Sequence, residues 1–457
     1  MSAAPRPTLA CRMFARQYGL PVEMFLDRLR LLEESQYWPA DRLAALQAAD
    51  LEASLTCAAS RVEHYRRIFE RLRCAPAEIA RQGRLDTLPV LERADLEQIF
   101  DEASRRPLAE GVRVMSSSGS SGRPARTLQD RAARCSNQAT RGRTLSWYGV
   151  RPWERQGLIV GQRPTTRERL FSFCVDRLAR RRRNGTFGME REDAIATARR
   201  FIRFGPAYLL GMPSLLNRLA HFATEAGLDL RAARVRAILF NSEVLIPTVA
   251  RRVTQAFGSA ATDEYGCTEV GSIAHRCPEG TLHLNPEHAI VELLDERGTA
   301  VPPGVPGRVV LTTLQNRVLP LIRYAVGDVA VRAARPCPCG RQPGGCGLQQ
   351  VEGRQRYAWR DAKGALIAVQ PAVFAALELL DRAAFLEGQI VQVGAEEVEI
   401  RTLPAAPCSA ALLEAVRRVL SEKLGADVRV RSNARAVERA PSGKLAAYYR
   451  DSGGAAR

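Results

Sequence analysis

Lysine is almost absent from this chain. Lys363, Lys423 and Lys444 are the only three in 457 residues, and the remaining positive charge is arginine. A lysine inside a motif is correspondingly informative, because chance places few there. Long apolar runs are also missing. No stretch approaches the roughly 18 residues that a transmembrane helix needs, so no membrane association is expected. The first twenty residues, MSAAPRPTLACRMFARQYGL, lack a continuous apolar region and a cleavage signature, which makes the cytoplasm the expected compartment. The formal charge of +18 is not accompanied by the interleaved aromatics of an RNA-binding surface. Its densest cluster, Arg180, Arg181, Arg182 and Arg183 before Asn184 and Gly185, reads as a solvated loop. Nucleic acid is therefore not an expected partner. Eleven cysteines, an odd count without a secretion signal, argue against a disulfide framework.

What is present is an ordinary globular balance, 46% hydrophobic and 25% charged, far from the composition of a disordered chain. The length exceeds what one core usually organises, so at least two domains are expected. From about Phe14 to Leu72 apolar residues recur at three- and four-residue spacing in LRLLEESQ, ADRLAALQAADLEASL and RVEHYRRIFERL, which predicts helices. Short apolar runs follow, VRVMS, QGLIVG, AYLLG, VRAILF and SAATDEYG, with EDAIATARRFIRF and PSLLNRLAHFATEAG between them. Strands alternating with helices predict an α/β layered core. After Leu282 the pattern turns to short strands: HLNPEHAIVELLDERG, GRVVLTTL and DVAVRAAR. Beyond Gly353 the strand, strand, helix and strand signals of QIVQVG, EEVEIRTL, SAALLEAVRRVLSEKLG and DVRVRS fit a small α+β unit on a hinge.

The strongest local signal is VMSSSGSSGRPART. A strand-like run enters Ser116, Ser117, Ser118, Gly119, Ser120, Ser121, Gly122 and Arg123. Glycines permit the positive φ that turns successive N–H groups toward one anion, hydroxyls add donors, and Arg123 adds charge. No Gly-Lys-Ser/Thr follows at Walker A spacing. Read alone, the stretch has a plainer but lesser alternative, a flexible linker. Downstream come NSEV at 241–244, EYGCTE at 264–269, PLIRYAVGD at 320–328, VEGR at 351–354 and PSGK at 441–444.

Six motifs in this order resemble the adenylate-forming superfamily, and within it the phenylacetate–coenzyme A ligase branch, over nearly the whole chain. The resemblance implies a large α/β adenylation domain over 1–353, with a helical lead-in at 1–75 and a β-rich subdomain at about 277–352. A mobile C-terminal α+β domain would occupy 354–457. It implies ATP-dependent activation of a small carboxylic acid as acyl-AMP, followed by transfer to a thiol of coenzyme A or of a carrier protein's phosphopantetheine. Ser117 to Arg123 would hold the β- and γ-phosphates. Ser242 and Glu243 would line the adenine pocket, Tyr265 beside Gly266 would stack on the base, and Thr268 would contact the α-phosphate. Glu269 would help to hold Mg²⁺, which favours carboxylate and phosphate oxygens. Asp328 would accept from the ribose hydroxyls with Arg354 near it, and Lys444 would sit near the acyl carboxylate. The branch favours an aryl acid, with Trp147, Tyr148, Phe171, Phe173, Tyr208 and Phe240 in the region of its pocket.

Each residue also has a plainer reading. Asp328 can close a turn after Gly327, Glu269 can cap a helix over VGSIAH, Tyr265 can be a core aromatic, and Lys444 can be a surface lysine. The chemistry favours the sharper one, because charge builds on the α-phosphate as a carboxylate attacks it, and preorganised cations and N–H donors lower that barrier.

Cys277 and His283, in HRCPEGTLHLN, and Cys337 and Cys339, in ARPCPCGRQ, form a C-x5-H pair and a C-x-C pair. A Cys3His set suits tetrahedral Zn²⁺ in a structural role, and the branch carries a comparable metal. His275 or Cys346 could replace one ligand, and unligated buried cysteines are the alternative. Two departures from the family stand out. The phosphate loop has serines and Arg123 where threonines and a lysine are common, and Gln355 and Arg356 stand at the expected hinge aspartate. The altered hinge keeps open an amide ligase that transfers the acyl group to an amine. A zinc-containing nucleic-acid-binding protein is the rival from another class, and it leaves the six motifs unexplained. A homodimer is compatible with the sequence.

Overall fold

The computed structural model describes residues 7–451, apart from 106, 118–123, 161–175, 177–179, 186–187, 343–344, 346, 356–357, 362–363, 395 and 441. The helical lead-in comprises α1 (Leu9–Tyr18), α2 (Val22–Ser35), α3 (Ala40–Arg61), α4 (Glu63–Leu72), α5 (Pro76–Gln82) and α6 (Arg93–Ser104). A two-stranded ribbon, β1 (Arg113–Ser116) and β2 (Arg126–Gln129), leads into α7 (Arg131–Ser146). The Asp130 carboxylate accepts the Ala133 N–H at 2.8 Å and caps α7.

The main sheet begins with β3 (Gln156–Val160) and β4 (Arg181–Gly185), followed by α8 (Arg191–Phe204) and β5 (Tyr208–Gly211). Next come α9 (Pro213–Glu225), β6 (Ala237–Asn241), α10 (Pro247–Phe257) and β7 (Ala260–Cys267). These strands pair in parallel in the order β4-β3-β5-β6-β7. The connections from β5 to β6 and from β6 to β7 run through α9 and α10, as parallel pairing requires. Proline opens both helices at their first turn, where its missing N–H costs nothing. The remaining strands are β8 (Gly271–Arg276), β9 (Leu282–Leu284), β10 (Ala289–Leu294), β11 (Pro306–Thr313), β12 (Tyr324–Arg332) and β13 (Gly347–Arg354). They are hydrogen-bonded into the same sheet, which runs β10-β11-β12-β13-β9-β8-β7-β6-β5-β3-β4. After α11 (Gln370–Arg382), strands β14 (Glu387–Gly394) and β15 (Glu397–Leu403), helix α12 (Ala410–Leu424), and strands β16 (Arg429–Ala436) and β17 (Tyr448–Arg450) form a four-stranded sheet ordered β16-β15-β14-β17.

Two local expectations change. VGSIAH is strand β8, antiparallel to β7, because a short apolar run satisfies either period and the hairpin with β7 decides it. The arginine cluster is not a solvated loop. Arg181 starts β4, is buried, and donates through Nε to Asp176 at 2.8 Å.

The helical lead-in is fixed to the sheet by buried charge. Arg143 of α7 and Glu287 are 1% and 0% exposed and pair at 2.9 Å. Arg143 also donates to Asn285 Oδ1 at 2.6 Å, and the Ser35 hydroxyl at the end of α2 donates to Glu287. Removing one partner of such a pair leaves an uncompensated charge in the core. Glu287→Ala is expected to lower stability by about 3 kcal/mol or more, read as a drop in Tm and in the urea midpoint.

Candidate active site

The ribbon β1–β2 frames the phosphate-loop sequence. Ser117 N–H donates to the Ala125 carbonyl at 2.9 Å, and Ala125 N–H donates back to Ser117 Oγ at 2.7 Å. The enclosed residues Ser118, Gly119, Ser120, Ser121, Gly122 and Arg123 lie outside the described residues.

Tyr265 on β7 and Asp328 on β12 are separated in the sheet by β8, β9 and β13. In a flat sheet four steps would span about 19 Å. The Tyr265 hydroxyl nevertheless donates to Asp328 Oδ2 at 3.0 Å, so the antiparallel half of the sheet curls back over the parallel half. The link through β9 is short, only Gly347 and Leu348 pairing with His283 and Leu282, which allows the curl. Arg354 stands opposite Asp328 across β12–β13, with Nε 3.3 Å from Oδ1, and its Nη1 donates to the Val326 carbonyl at 2.8 Å. Burial pushes the Asp328 carboxyl up, and the Arg354 charge pulls it down. Burial and the neighbouring Asp328 charge hold the Tyr265 hydroxyl protonated, and thus a donor.

Gly266 follows a register shift in the β7–β8 pairing, and a Cβ there would lie 2.5 Å from the Gly271 carbonyl oxygen. Glycine is thus required for the close approach that shapes the turn holding Thr268 and Glu269. Glu269 is 6% exposed, and its carboxylate has no hydrogen-bond or ion-pair partner among the described residues. A buried carboxylate left without a protein partner fits a divalent cation. Ser242 has a left-handed backbone, φ 72°, which is uncommon outside glycine and concentrates at functional sites.

Lys444 lies on the hairpin before β17, where Arg439 bridges to Leu445 and the Ala440 N–H donates to the Lys444 carbonyl at 2.9 Å. Its ammonium is in electrostatic reach of Arg354, Glu243, Asp328 and Glu269. Burial, then the Arg354 charge, lowers its pKa below the ordinary lysine value, while the three carboxylates oppose the shift. Residues 269, 328, 354 and 444, far apart in sequence, thus share one region.

Several expected residues make contacts the sequence did not point to. The Glu243 carboxylate is engaged at the start of α9 and with the Lys444 hairpin. It accepts from Ser214 N–H at 2.9 Å, Ser214 Oγ at 3.0 Å and Leu445 N–H at 2.6 Å, because the free N–H groups of the first turn of α9 attract a carboxylate. Tyr208 and Phe240 are core side chains, 3% and 0% exposed, with the Tyr208 hydroxyl donating to the Pro152 carbonyl. Tyr148 donates to the Arg276 carbonyl at 3.3 Å. Phe171 and Phe173 lie outside the described residues.

The ligand atoms of Cys277, His283, Cys337 and Cys339 all lie within 4.8 Å of one another. Two of these separations, Cys277 Sγ to Cys337 Sγ at 3.6 Å and Cys339 Sγ to His283 Nε2 at 3.2 Å, are near the roughly 3.5–3.8 Å edges of a tetrahedral Zn²⁺ site. His283 Nδ1 is 3.3 Å from Gln342 Oε1, which leaves Nε2 toward the cysteines. Gln342 also donates from its backbone to the Gln36 carbonyl and from its side chain to the Leu284 carbonyl. Trp147 meets His283 edge-on at 6.2 Å, and its indole donates to Gln36 Oε1. His275 is absent from the cluster. It is fully buried beside Glu264 and Asn285, and burial lowers its pKa to about 4. Cys346 lies outside the described residues. Sequence reading missed Ser214, Arg218, Glu387 and Arg439, which join α9 to the last strands. Arg439 sits four residues before Gly443 of PSGK, but nothing local distinguishes it from a surface arginine.

Residues 184–316 match the family of AMP-binding enzymes. A phenylacetate–coenzyme A ligase of Thermus thermophilus is 24% identical over 314 residues, 67% of this chain and 70% of that protein. One of Aromatoleum evansii is 25% identical over 323 residues, 65% of this chain and 68% of that protein. Among solved structures, 2-hydroxyisobutyryl-CoA ligase in its postadenylation state overlaps with a TM-score of 0.69 at 20% identity, over 92% of this chain and 93% of that one. In its thioesterification state the same protein overlaps at 0.58 and 19% identity, over 91% of this chain and 92% of that one. No helix among the described residues is long and apolar enough to cross a membrane. The chain is thus similar in sequence to phenylacetate–coenzyme A ligases, matches the AMP-binding enzyme family over residues 184–316, and shares its fold with 2-hydroxyisobutyryl-CoA ligase.

Proposed function

We propose that the chain uses ATP to convert a small aromatic carboxylic acid to its acyl-AMP, and then transfers the acyl group to the thiol of coenzyme A. The reading rests on one observation above the others: Lys444, the lysine of a nearly lysine-free chain, shares a region with Glu269, Asp328 and Arg354. In the first step a carboxylate oxygen attacks the α-phosphorus and the bond to the β-phosphate's bridging oxygen breaks, releasing pyrophosphate. Two anions must approach, so positive charge and N–H donors fixed in advance lower the barrier. Lys444 holds the attacking carboxylate against the α-phosphate. Thr268 contacts the α-phosphate, and Ser117 to Arg123 hold the β- and γ-phosphates. Asp328, oriented by Tyr265 and Arg354, accepts from the ribose hydroxyls, and Ser242 and Tyr265 border the base. Glu269 would hold Mg²⁺, which supplies charge neutralisation to the phosphates. In the second step the thiol sulfur attacks the acyl carbonyl carbon, AMP leaves, and the thiol proton passes to solvent. Residues 354–457 turn about the hinge between the steps, and the zinc set serves structure alone.

ATP–pyrophosphate exchange over a panel of aryl and alkyl acids tests the first step. Exchange that depends on an aryl acid is expected, followed by thioester formation with coenzyme A. Transfer to an amine instead would make the chain an amide ligase. Absence of exchange with every acid, from folded protein supplied with Mg²⁺, would sink the reading.

A further inference from the structure

The hairpin that carries Lys444 is anchored at both ends of its base to the N-terminal body. On one side, Leu445 N–H donates to Glu243 at 2.6 Å. On the other, Arg439 donates through Nη1 to Ser214 Oγ at 2.9 Å and through Nη2 to Glu387 at 2.6 Å, and its Nη1 also reaches the Gly443 carbonyl at 3.1 Å. Ser214 is itself held by Glu243 through both its N–H and its hydroxyl. Glu387, at the start of β14, receives Arg218 of α9 in a bidentate pair at 2.9 and 3.1 Å. The side chains of Arg218, Glu387 and Arg439 are 9%, 2% and 10% exposed. A narrow cleft lined by Pro213, Ser214, Glu243, Glu387 and Leu445 follows the same seam.

The charges of this cluster balance: Arg218 and Arg439 against Glu387 and Glu243. A buried set of this kind stabilises little over an apolar seam of the same shape, but it tolerates only one register. It is also positioned to matter to Lys444 alone among the residues of the site. Asp328, Arg354, Tyr265 and Glu269 belong to the large sheet and its turns and need no clamp from the C-terminal sheet. Lys444 does not belong to that sheet and must be brought to it.

We infer that Arg439, with Ser214, Glu243 and Glu387, is a positioning clamp that seats the Lys444 hairpin for acyl-adenylate formation and must open for acyl transfer. The inference rests on the proposed two-step reaction. Arg439 acts through the hairpin and touches neither nucleotide nor acid. Its bifurcated donation needs the planar guanidinium, which a lysine cannot reproduce.

Three measurements on the full chain test the clamp, with Arg439→Ala, Arg439→Lys and Ser214→Ala. Removing Arg439 leaves Glu387 paired with Arg218, so no buried carboxylate is orphaned and the variant is expected to fold. In ATP–pyrophosphate exchange with phenylacetate and benzoate, Arg439→Ala is expected to lose about 100-fold, as a misplaced reacting group does. Arg439→Lys should recover only part of that loss, and Ser214→Ala should lose less. Supplied phenylacetyl-AMP or benzoyl-AMP and coenzyme A should yield thioester within about twofold of the parent rate, since that step needs the clamp open. Tryptic cleavage between β13 and α11 should accelerate several-fold in Arg439→Ala at unchanged Tm. Equal loss of both half-reactions would reduce Arg439 to a structural role and overturn the clamp, as would exchange at the parent rate. If the parent chain itself shows no exchange, the proposed reaction fails, and the cleavage rate alone then decides whether the clamp exists.

Discussion

Lys444→Ala is expected to lower acid-dependent ATP–pyrophosphate exchange by about 10²- to 10³-fold, the usual cost of removing one preorganised donor from a developing charge. The expectation follows from how Lys444 is held. Its hairpin brings a flexible ammonium to Asp328, Glu269 and Arg354, and among the described residues that ammonium has no hydrogen-bond partner of its own, leaving it for an incoming anion. Conversion of supplied acyl-AMP to thioester should survive the substitution, because the attacking carboxylate is by then esterified. The pH dependence follows with a definite sign. Burial and Arg354 lower the Lys444 pKa, and the protonated form is the working one. Exchange should therefore hold at neutral pH and fall as pH rises through a value below that of a free lysine, about 10.4. In Lys444→Arg the residual rate should lose that alkaline limb, because a guanidinium stays charged throughout. A full-rate Lys444→Ala enzyme, or a limb that persists in Lys444→Arg, would contradict this assignment.

The second large effect is expected at the zinc set. Purified chain should carry about one zinc, and Cys277→Ser or Cys337→Ser should release it. Cys277 and Cys337 are 60 residues apart, and closing a loop of that length through a metal constrains the unfolded chain by about 4 kcal/mol. At this chain size such a loss corresponds to a Tm lower by about 4 °C. The damage should spread to the helical lead-in, because Gln342 couples His283 to Gln36 after α2, and Trp147 at the end of α7 packs against His283. Ligand-supporting contacts of this kind tune a site nearly as strongly as the ligands. Activity should fall only as far as folding does, with KM for ATP unchanged in whatever fraction remains folded. Metal analysis that finds no stoichiometric zinc, or serine variants of unchanged Tm, would remove the metal from the description.

Much of the secondary structure was legible before any coordinates. VRAILF, GRVVLTTL and QIVQVG are strands β6, β11 and β14, and SAALLEAVRRVLSEKLG is helix α12, because alternation and 3.6-residue spacing record which face is covered. The failures have a common cause. VGSIAH satisfied two periods, and its partner β7 chose between them. Arg181 carries a charge that patterning sends to solvent, yet pairing with Asp176, five residues earlier, makes its burial tolerable. Tyr208 and Phe240 sit on strands covered on both faces, so neither was free to line a pocket.

By itself the sequence determined the periods, the turn glycines and the order of six motifs, since these are written in near-neighbour chemistry. Only the tertiary structure decided which side chains meet. Tyr265 reaches Asp328 over 63 residues, Glu243 reaches Leu445 over 202, and Ser214 reaches Arg439 over 225. Those pairings depend on how far one sheet curls and where a second sheet is seated against it, and such global geometry leaves no trace in the spacing of neighbouring residues.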